Sequence, residues 1–209
     1  MIRPALRHLH KADPTMRTLI RRIGPCTFER RRGQSPYEVL VRAVAHQQLH
    51  GRAAEAILGR LIALFPGKRF PDPGDVLRTS MKALRKAGFS RAKILAIKHI
   101  AKKTLAGAVP TRRAAARMTD EDMILQLTQL RGVGRWTVEM LLMFHLGRPD
   151  VLPVDDFGIR EGFRITYGLR KRPTPKQVLI HGERWRPHRT IASWYLWRAV
   201  EHAKRTRAT

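Results

Sequence analysis

The chain has only eight aspartates, and three of them, Asp150, Asp155 and Asp156, fall within seven residues. Two are adjacent, in Pro153-Val154-Asp155-Asp156-Phe157-Gly158, in a protein whose 42 Lys+Arg against 16 Asp+Glu give a formal charge of +26. So basic a chain suits a polyanion, and neighbouring acids work against that affinity, so they are expected to have a task of their own. A carboxylate can stabilise developing positive charge and orient a water. Either acid can also cap the helix expected to begin near Phe157. Both uses can hold at once, one acid capping while the other faces a pocket.

A second signal is Leu130-Arg131-Gly132-Val133-Gly134-Arg135-Trp136-Thr137. Two glycines around an apolar residue allow a tight turn with exposed N–H groups. A helix expected over about 135–146 starts there, so its dipole and first N–H groups face whatever the turn binds. A phosphate is the natural ligand; from this spacing alone, an ordinary helix–turn–helix corner with glycine for clearance stands as the alternative. Other chemistries find less support. His46 and His50 would share a helix face, as zinc ligands can, but lack the adjoining glutamate of zinc hydrolases. There is no Ser/His/Asp elbow and no Walker-type loop. The single cysteine, Cys26, excludes an intrachain disulfide and any all-cysteine zinc or iron–sulfur site.

The elements that must position these residues read as helices. Ser35 is a good N-cap for 36–45, with Pro36 at the first helical position. Ala54, Ile57, Leu58, Leu61 and Ile62 repeat at helical spacing before Pro66-Gly67, and Ile94, Leu95, Ile97, Ile100 and Ala101 do so over 90–105. Thr119 followed by Asp120, Glu121 and Asp122 marks another start, with acids where the helix dipole favours them. Thr174-Pro175 opens one over 175–185, and a last helix is expected over 190–203. Val151-Leu152-Pro153-Val154 is β-prone but short and holds a proline. The expectation is an all-α protein of two helical lobes packed along a groove.

A hydrophobic content of 43% is enough for a real core, so this is no disordered basic tail. No apolar run approaches the roughly 18–20 residues that span a bilayer. The first residues lack the apolar stretch of a signal peptide. A soluble, cytoplasmic, monomeric protein is expected, nucleoid-associated if bacterial. The positive charge favours nucleic acid but does not separate a DNA enzyme from a basic ribosome-associated protein.

Residues 130–163, the hairpin followed by Pro153-Val154-Asp155-Asp156, resemble the helix–hairpin–helix superfamily of base-excision DNA glycosylases, and within it DNA-3-methyladenine glycosylase II, the AlkA type. Three further stretches agree in order: Val41-Arg42-Ala43-Val44-Ala45-His46-Gln47-Gln48; residues 84–100 around Gly88-Phe89-Ser90; and Glu183-Arg184-Trp185-Arg186-Pro187 leading into Ser193-Trp194-Tyr195-Leu196-Trp197. The resemblance covers about residues 12–203. It implies an HhH-GPD fold in which 1–209 form one unit, a hairpin lobe of about 35–150 and a second lobe of 1–34 with 151–209 flanking a DNA-binding cleft. No iron–sulfur cluster and no N-terminal β domain are expected.

What the resemblance implies about residues is specific. Asp156 is the catalytic carboxylate by the AlkA-type register, with Asp155 as cap or neighbour, although counting from the hairpin in other members selects Asp155. Trp197 stacks on a base flipped out of the helix, and Trp136, Phe157 and Met140 complete the wall. Gly132, Val133, Gly134, Arg135 and Thr137 hold a DNA phosphate, and Gln47 and Gln48 fall where the family inserts a wedge. The carbonyls of Thr128, Leu130 and Val133 hold a sodium or potassium ion only when DNA is present; no other cofactor is required. Bifunctional members carry a Schiff-base lysine directly after the hairpin, and Trp136 stands there instead. A monofunctional glycosylase for alkylated bases in double-stranded DNA is therefore implied. The alternatives are a relative acting on deaminated or oxidised bases and a catalytically silent damage-binding protein. His46 and His50, where glycine and serine are common, and Met140, where an aromatic is common, bear on substrate breadth.

Overall fold

The computed structural model describes residues 2–208, and among them there are helices and no strands. In chain order the α-helices are α1 (Ile2–Ala12), α2 (Pro14–Ile23), α3 (Pro36–His46), α4 (Gly51–Ala63), α5 (Pro73–Arg78), α6 (Met81–Lys86), α7 (Arg91–Leu105), α8 (Arg112–Ala115), α9 (Asp120–Leu127), α10 (Arg135–Met140), α11 (Phe157–Thr166), α12 (Pro175–Gly182) and α13 (Arg189–Ala208). The helix predicted over 135–146 is α-helical only through Met140, and Leu141–Leu146 wind as a π-helix. The helix predicted over 175–185 ends in a 3₁₀ turn, Glu183–Trp185.

Local chemistry sets most of these starts. Ser35, Ser80, Ser90, Thr111, Thr119 and Thr174 each accept a backbone N–H of the helix they precede, which satisfies a donor the helix itself leaves orphaned. Pro14, Pro36, Pro73 and Pro175 occupy first-turn positions, where the missing N–H costs nothing.

The chain divides into two compact units, Met1–Arg30 with Leu142–Thr209, and Arg31–Leu141. The second is built on α7, which packs against α3 and α5 and buries Ile94, Ile97 and Ile100. Cationic side chains close several of its helix ends: Lys93 Nζ donates to the Ala45 carbonyl (2.8 Å), Lys98 Nζ to those of Leu77 and Thr79 (2.7 Å each), and Arg60 Nε to Ala87 (2.8 Å). Each meets carbonyls left orphaned where the helix dipole is negative.

The first unit is centred on α11 and α13. They approach so closely that a Cβ at Gly162 would lie 2.0 Å from the Leu196 carbonyl oxygen. The β-prone segment 151–154 finds no strand partner, and α13 satisfies the backbone there and just before it. Thr190 Oγ1 donates to the Arg148 carbonyl (2.7 Å) and accepts the Val151 N–H (3.1 Å), and Ser193 Oγ donates to the Val151 carbonyl (3.3 Å). Arg189, almost fully buried, clamps the Asp150 carboxylate with Nε (2.8 Å) and Nη2 (3.1 Å).

Asp13 ties the two ends of this unit together. Its Oδ1 accepts the Met16 N–H (3.0 Å), capping α2. Its Oδ2 accepts the Tyr167 hydroxyl (2.6 Å) and the Trp185 indole N–H (2.9 Å) and lies 3.0 Å from His181 Nε2. Asp13 is only 2% exposed. Burial opposes its charge, but the bonds from His181, Tyr167, Met16 and Trp185 outweigh that and hold the carboxyl far below its ordinary value of 3.8. A depressed carboxyl pKa adds stability that is complete above the unfolded value and drains away as acid approaches the folded one. Asp13→Asn is therefore expected to cost about 3 kcal/mol at pH 7 in urea unfolding. The gap to the native chain should narrow below about pH 4; a gap that stays constant down to pH 2 would mean that the charge is not what stabilises.

Candidate functional site

Asp156 is the N-cap of α11: its Oδ1 accepts the Ile159 N–H at 2.8 Å. The same oxygen accepts the Trp197 indole N–H, also at 2.8 Å. Capping therefore falls to Asp156 and not to Asp155, which is exposed and makes no hydrogen bond to another described residue. A single oxygen, Asp156 Oδ1, thus takes both the cap donor and the indole donor.

Trp197 is half-buried on α13, and Phe144 of the π-helix stacks against it with centroids 6.0 Å apart and planes 26° from parallel. Phe144 in turn packs on Phe28 at 5.4 Å. The sequence reading did not single out Phe144; the available signal was an aromatic inside the apolar run Leu141–Leu146, where the π-turn shifts the helix register. Gly158 is the second overlooked position. A Cβ there would lie 2.8 Å from Trp197 Cδ1 and 3.0 Å from Asp156 Oδ1. The indole reaches the carboxylate because residue 158 has no side chain. Phe157 projects from the first turn of α11, 61% exposed.

The remaining predicted residues lie in the other unit. Leu130–Gly134 turn between α9 and α10, with Gly132 in the left-handed region at φ +78°. A Cβ on Gly132 would stand 3.1 Å from that of Ala96, so small size and positive φ are both required. The Val133 N–H is spent on the Leu130 carbonyl (3.0 Å), which leaves the N–H groups of Gly132 and Gly134 as the donors this turn can offer an anion. Thr137 is 7% exposed and sits in the core. Arg135 is paired with Glu139 (3.0 Å) and Glu121 (3.1 Å). Trp136 is half exposed, and Met140 is partly buried at the end of α10.

The loop after α3 is braced against this hairpin. Gln47 Nε2 donates to the Gly132 carbonyl at 2.8 Å, so its amide supports the turn. Gln48 is the one non-glycine with positive φ among the described residues, at +56°. That strain, with an exposed side chain and Leu49 40% exposed beside it, marks a loop held in an unfavourable conformation by its surroundings. His46 is bonded to Glu55 (2.9 Å) and His50 is exposed. No group of three His, Cys, Asp or Glu side chains among the described residues is placed to hold a metal ion.

Residues 41–187 match the family described as HhH-GPD superfamily base excision DNA repair protein. The chain is 43% identical over 201 residues to DNA-3-methyladenine glycosylase 1 of Schizosaccharomyces pombe, covering 96% of this chain and 88% of that protein. The solved structure of S. pombe 3-methyladenine DNA glycosylase, Mag1, in complex with abasic DNA superimposes with a TM-score of 0.80 at 43% identity, covering 93% of this chain and 95% of that one. A DNA-3-methyladenine glycosidase from Bacillus halodurans gives 0.88 at 33% identity, covering 97% and 92%.

The indole–carboxylate contact is open to direct test. The Trp197 indole proton should resonate downfield of an unbonded indole, and Gly158→Ala should move it upfield while the far-ultraviolet circular dichroism is kept. An unchanged resonance would show that residue 158 does not control the contact.

Proposed function

Because the chain belongs to the HhH-GPD superfamily of base excision DNA repair proteins, we propose that it is a monofunctional DNA glycosylase that hydrolyses the N-glycosidic bond of alkylated bases of the 3-methyladenine and 7-methylguanine class. The observation that carries this reading is the Asp156 carboxylate, fixed by the Ile159 and Trp197 N–H groups at 2.8 Å each, with an indole beside it.

Such a base lies inside the duplex and must be turned out, at a cost of a few kcal/mol. The strained loop at Gln48 suits the emptied stack, and the free Gly132 and Gly134 N–H groups suit a backbone phosphate. N-methylated purines are cationic, so an indole face such as that of Trp197 attracts them, by about 0.5–2 kcal/mol. When the C1′–N bond breaks, its electron pair neutralises the departing base, and positive charge moves to the sugar. There the anchored Asp156 carboxylate stabilises the oxocarbenium-like state and orients the water that adds to C1′. A leaving group already cationic needs little acid assistance, so one carboxylate suffices. Trp136 after the hairpin offers no amine for a Schiff base, so the abasic strand is left uncut.

No redox or Lewis-acid cofactor enters this scheme. The neutral carbonyls of Thr128, Leu130 and Val133 are hard oxygen donors that suit sodium or potassium, and a cation held there with DNA would offset phosphate charge.

The test is release of free base from methylated duplex DNA, identified by chromatography. The native chain should release 3-methyladenine or 7-methylguanine, and Asp156→Asn should lower the rate at least about 100-fold with DNA binding kept. Trp197→Phe keeps a ring and loses the indole N–H, so kcat should fall about 10-fold with KM little changed. Release of hypoxanthine alone would favour a deaminated-base enzyme, and tight binding with no release would favour a silent damage binder.

A further inference from the structure

Phe157 follows Asp156 directly and is 61% exposed, yet one face of its ring is taken: the Arg172 guanidinium carbon lies 4.0 Å from the ring centroid. Arg172 is the third of three consecutive exposed cations, Arg170-Lys171-Arg172, in the loop between α11 and α12. That loop is fixed directly after Arg172. Arg160 Nε donates to the Pro173 carbonyl (2.8 Å), and Thr174 forms a capping box with Gln177. Glu161 touches Arg172 Nε only at 3.4 Å, because Arg164 holds the same carboxylate with Nε (3.1 Å) and Nη2 (2.8 Å). The two terminal nitrogens of Arg172 have no acceptor among the described residues.

A guanidinium seated over an aromatic ring is held in place while terminal N–H groups stay open, an arrangement that can receive an oxyanion. The charge logic points the same way. A cationic purine gains nothing on a ring face already covered by a cation, so that face of Phe157 is closed to the base. The anion that comes nearest Asp156, given the proposed reaction, is the sugar–phosphate backbone of the extruded nucleotide. We propose that Arg172, stacked on Phe157, is a phosphate-binding residue that grips the DNA backbone beside the flipped nucleotide. The assignment rests on the glycosylase reading and changes the part played by Phe157, from wall of the base pocket to platform for a clamp.

The experiment measures affinity by fluorescence anisotropy as a function of salt. Two duplexes are used, one with a single tetrahydrofuran abasic analogue and one undamaged, with the native chain, Arg172→Ala and Arg172→Lys. On the abasic duplex Arg172→Ala should weaken binding about 5–20-fold and flatten the log K against log salt slope by about 0.9, one phosphate contact. On the undamaged duplex it should change little. Arg172→Lys should keep the slope and lose part of the affinity, because an ammonium carries the charge without the planar fork. An unchanged slope on abasic DNA, or an equal loss on both duplexes, would overturn the clamp. Base release is a separate readout: a native chain that released no base while the abasic-specific slope change persisted would remove the glycosylase reading and leave the clamp.

Discussion

A buried carboxylate with four partners, Asp13, is the point at which distant parts of one unit become a single object. Its partners come from positions 16, 167, 181 and 185, so the cap of α2, the end of α11, α12 and the 3₁₀ turn after it are joined at one side chain. The consequence reaches the candidate site through α11. That helix is held at its C-terminal end by Tyr167 on Asp13, at its middle by Gly162 against the Leu196 carbonyl, and at its N-terminal end by Asp156 under the Trp197 indole. A short helix pinned at three places has little freedom to tilt, and the carboxylate at its cap inherits that rigidity. Preorganisation of this kind lets a fixed charge act on a developing one without reorganising first.

The positive charge does more than attract a polyanion. Arg30, Arg60, Lys93, Lys98, Arg112 and Arg160 each donate to a backbone carbonyl. Lys93 and Lys98 close the ends of α3 and α5, where no glycine cap is present. Lys93 does so at some cost, since burial lowers its pKa. Partly buried bonds of this kind are screened by salt much less than exposed charges are. Salt that would strip DNA from the surface should leave this internal set of bonds largely in place.

How far the sequence carried differs by element. Helix starts with a serine or threonine cap and a following proline were legible, because cap and proline act within four residues. The acid pair and the glycine hairpin stood out in the sequence, because residue type and spacing alone mark them as unusual. The helices before residue 30 were not: Ala5, Leu9, Met16, Leu19 and Ile20 are buried, but among basic residues their spacing gives a weak period, and the core they join includes residues 152–199. The second bond to the capping oxygen of Asp156 comes from Trp197, 41 residues further on, and needs the absence of a side chain at Gly158, neither of which is visible locally. The π-turn that brings Phe144 to Trp197 has no local signature in an apolar run that would suit an α-helix equally well.

The order of the chain adds a temporal side to this architecture. Residues 31–141 form one uninterrupted unit, whereas the other begins before it and is completed after it. A ribosome releases α1 and α2 long before the helices that cover them. At roughly 5–20 residues per second, Leu9, Met16 and Leu19 wait about 10–40 s for Trp185 and Tyr195 to emerge. Through that interval their apolar stripe is interleaved with Arg3, Arg7, Lys11, Arg17, Arg21 and Arg22. Mutual repulsion among these cations keeps such stripes on neighbouring nascent chains apart, so the charge that serves binding in the finished protein also guards its unfinished half.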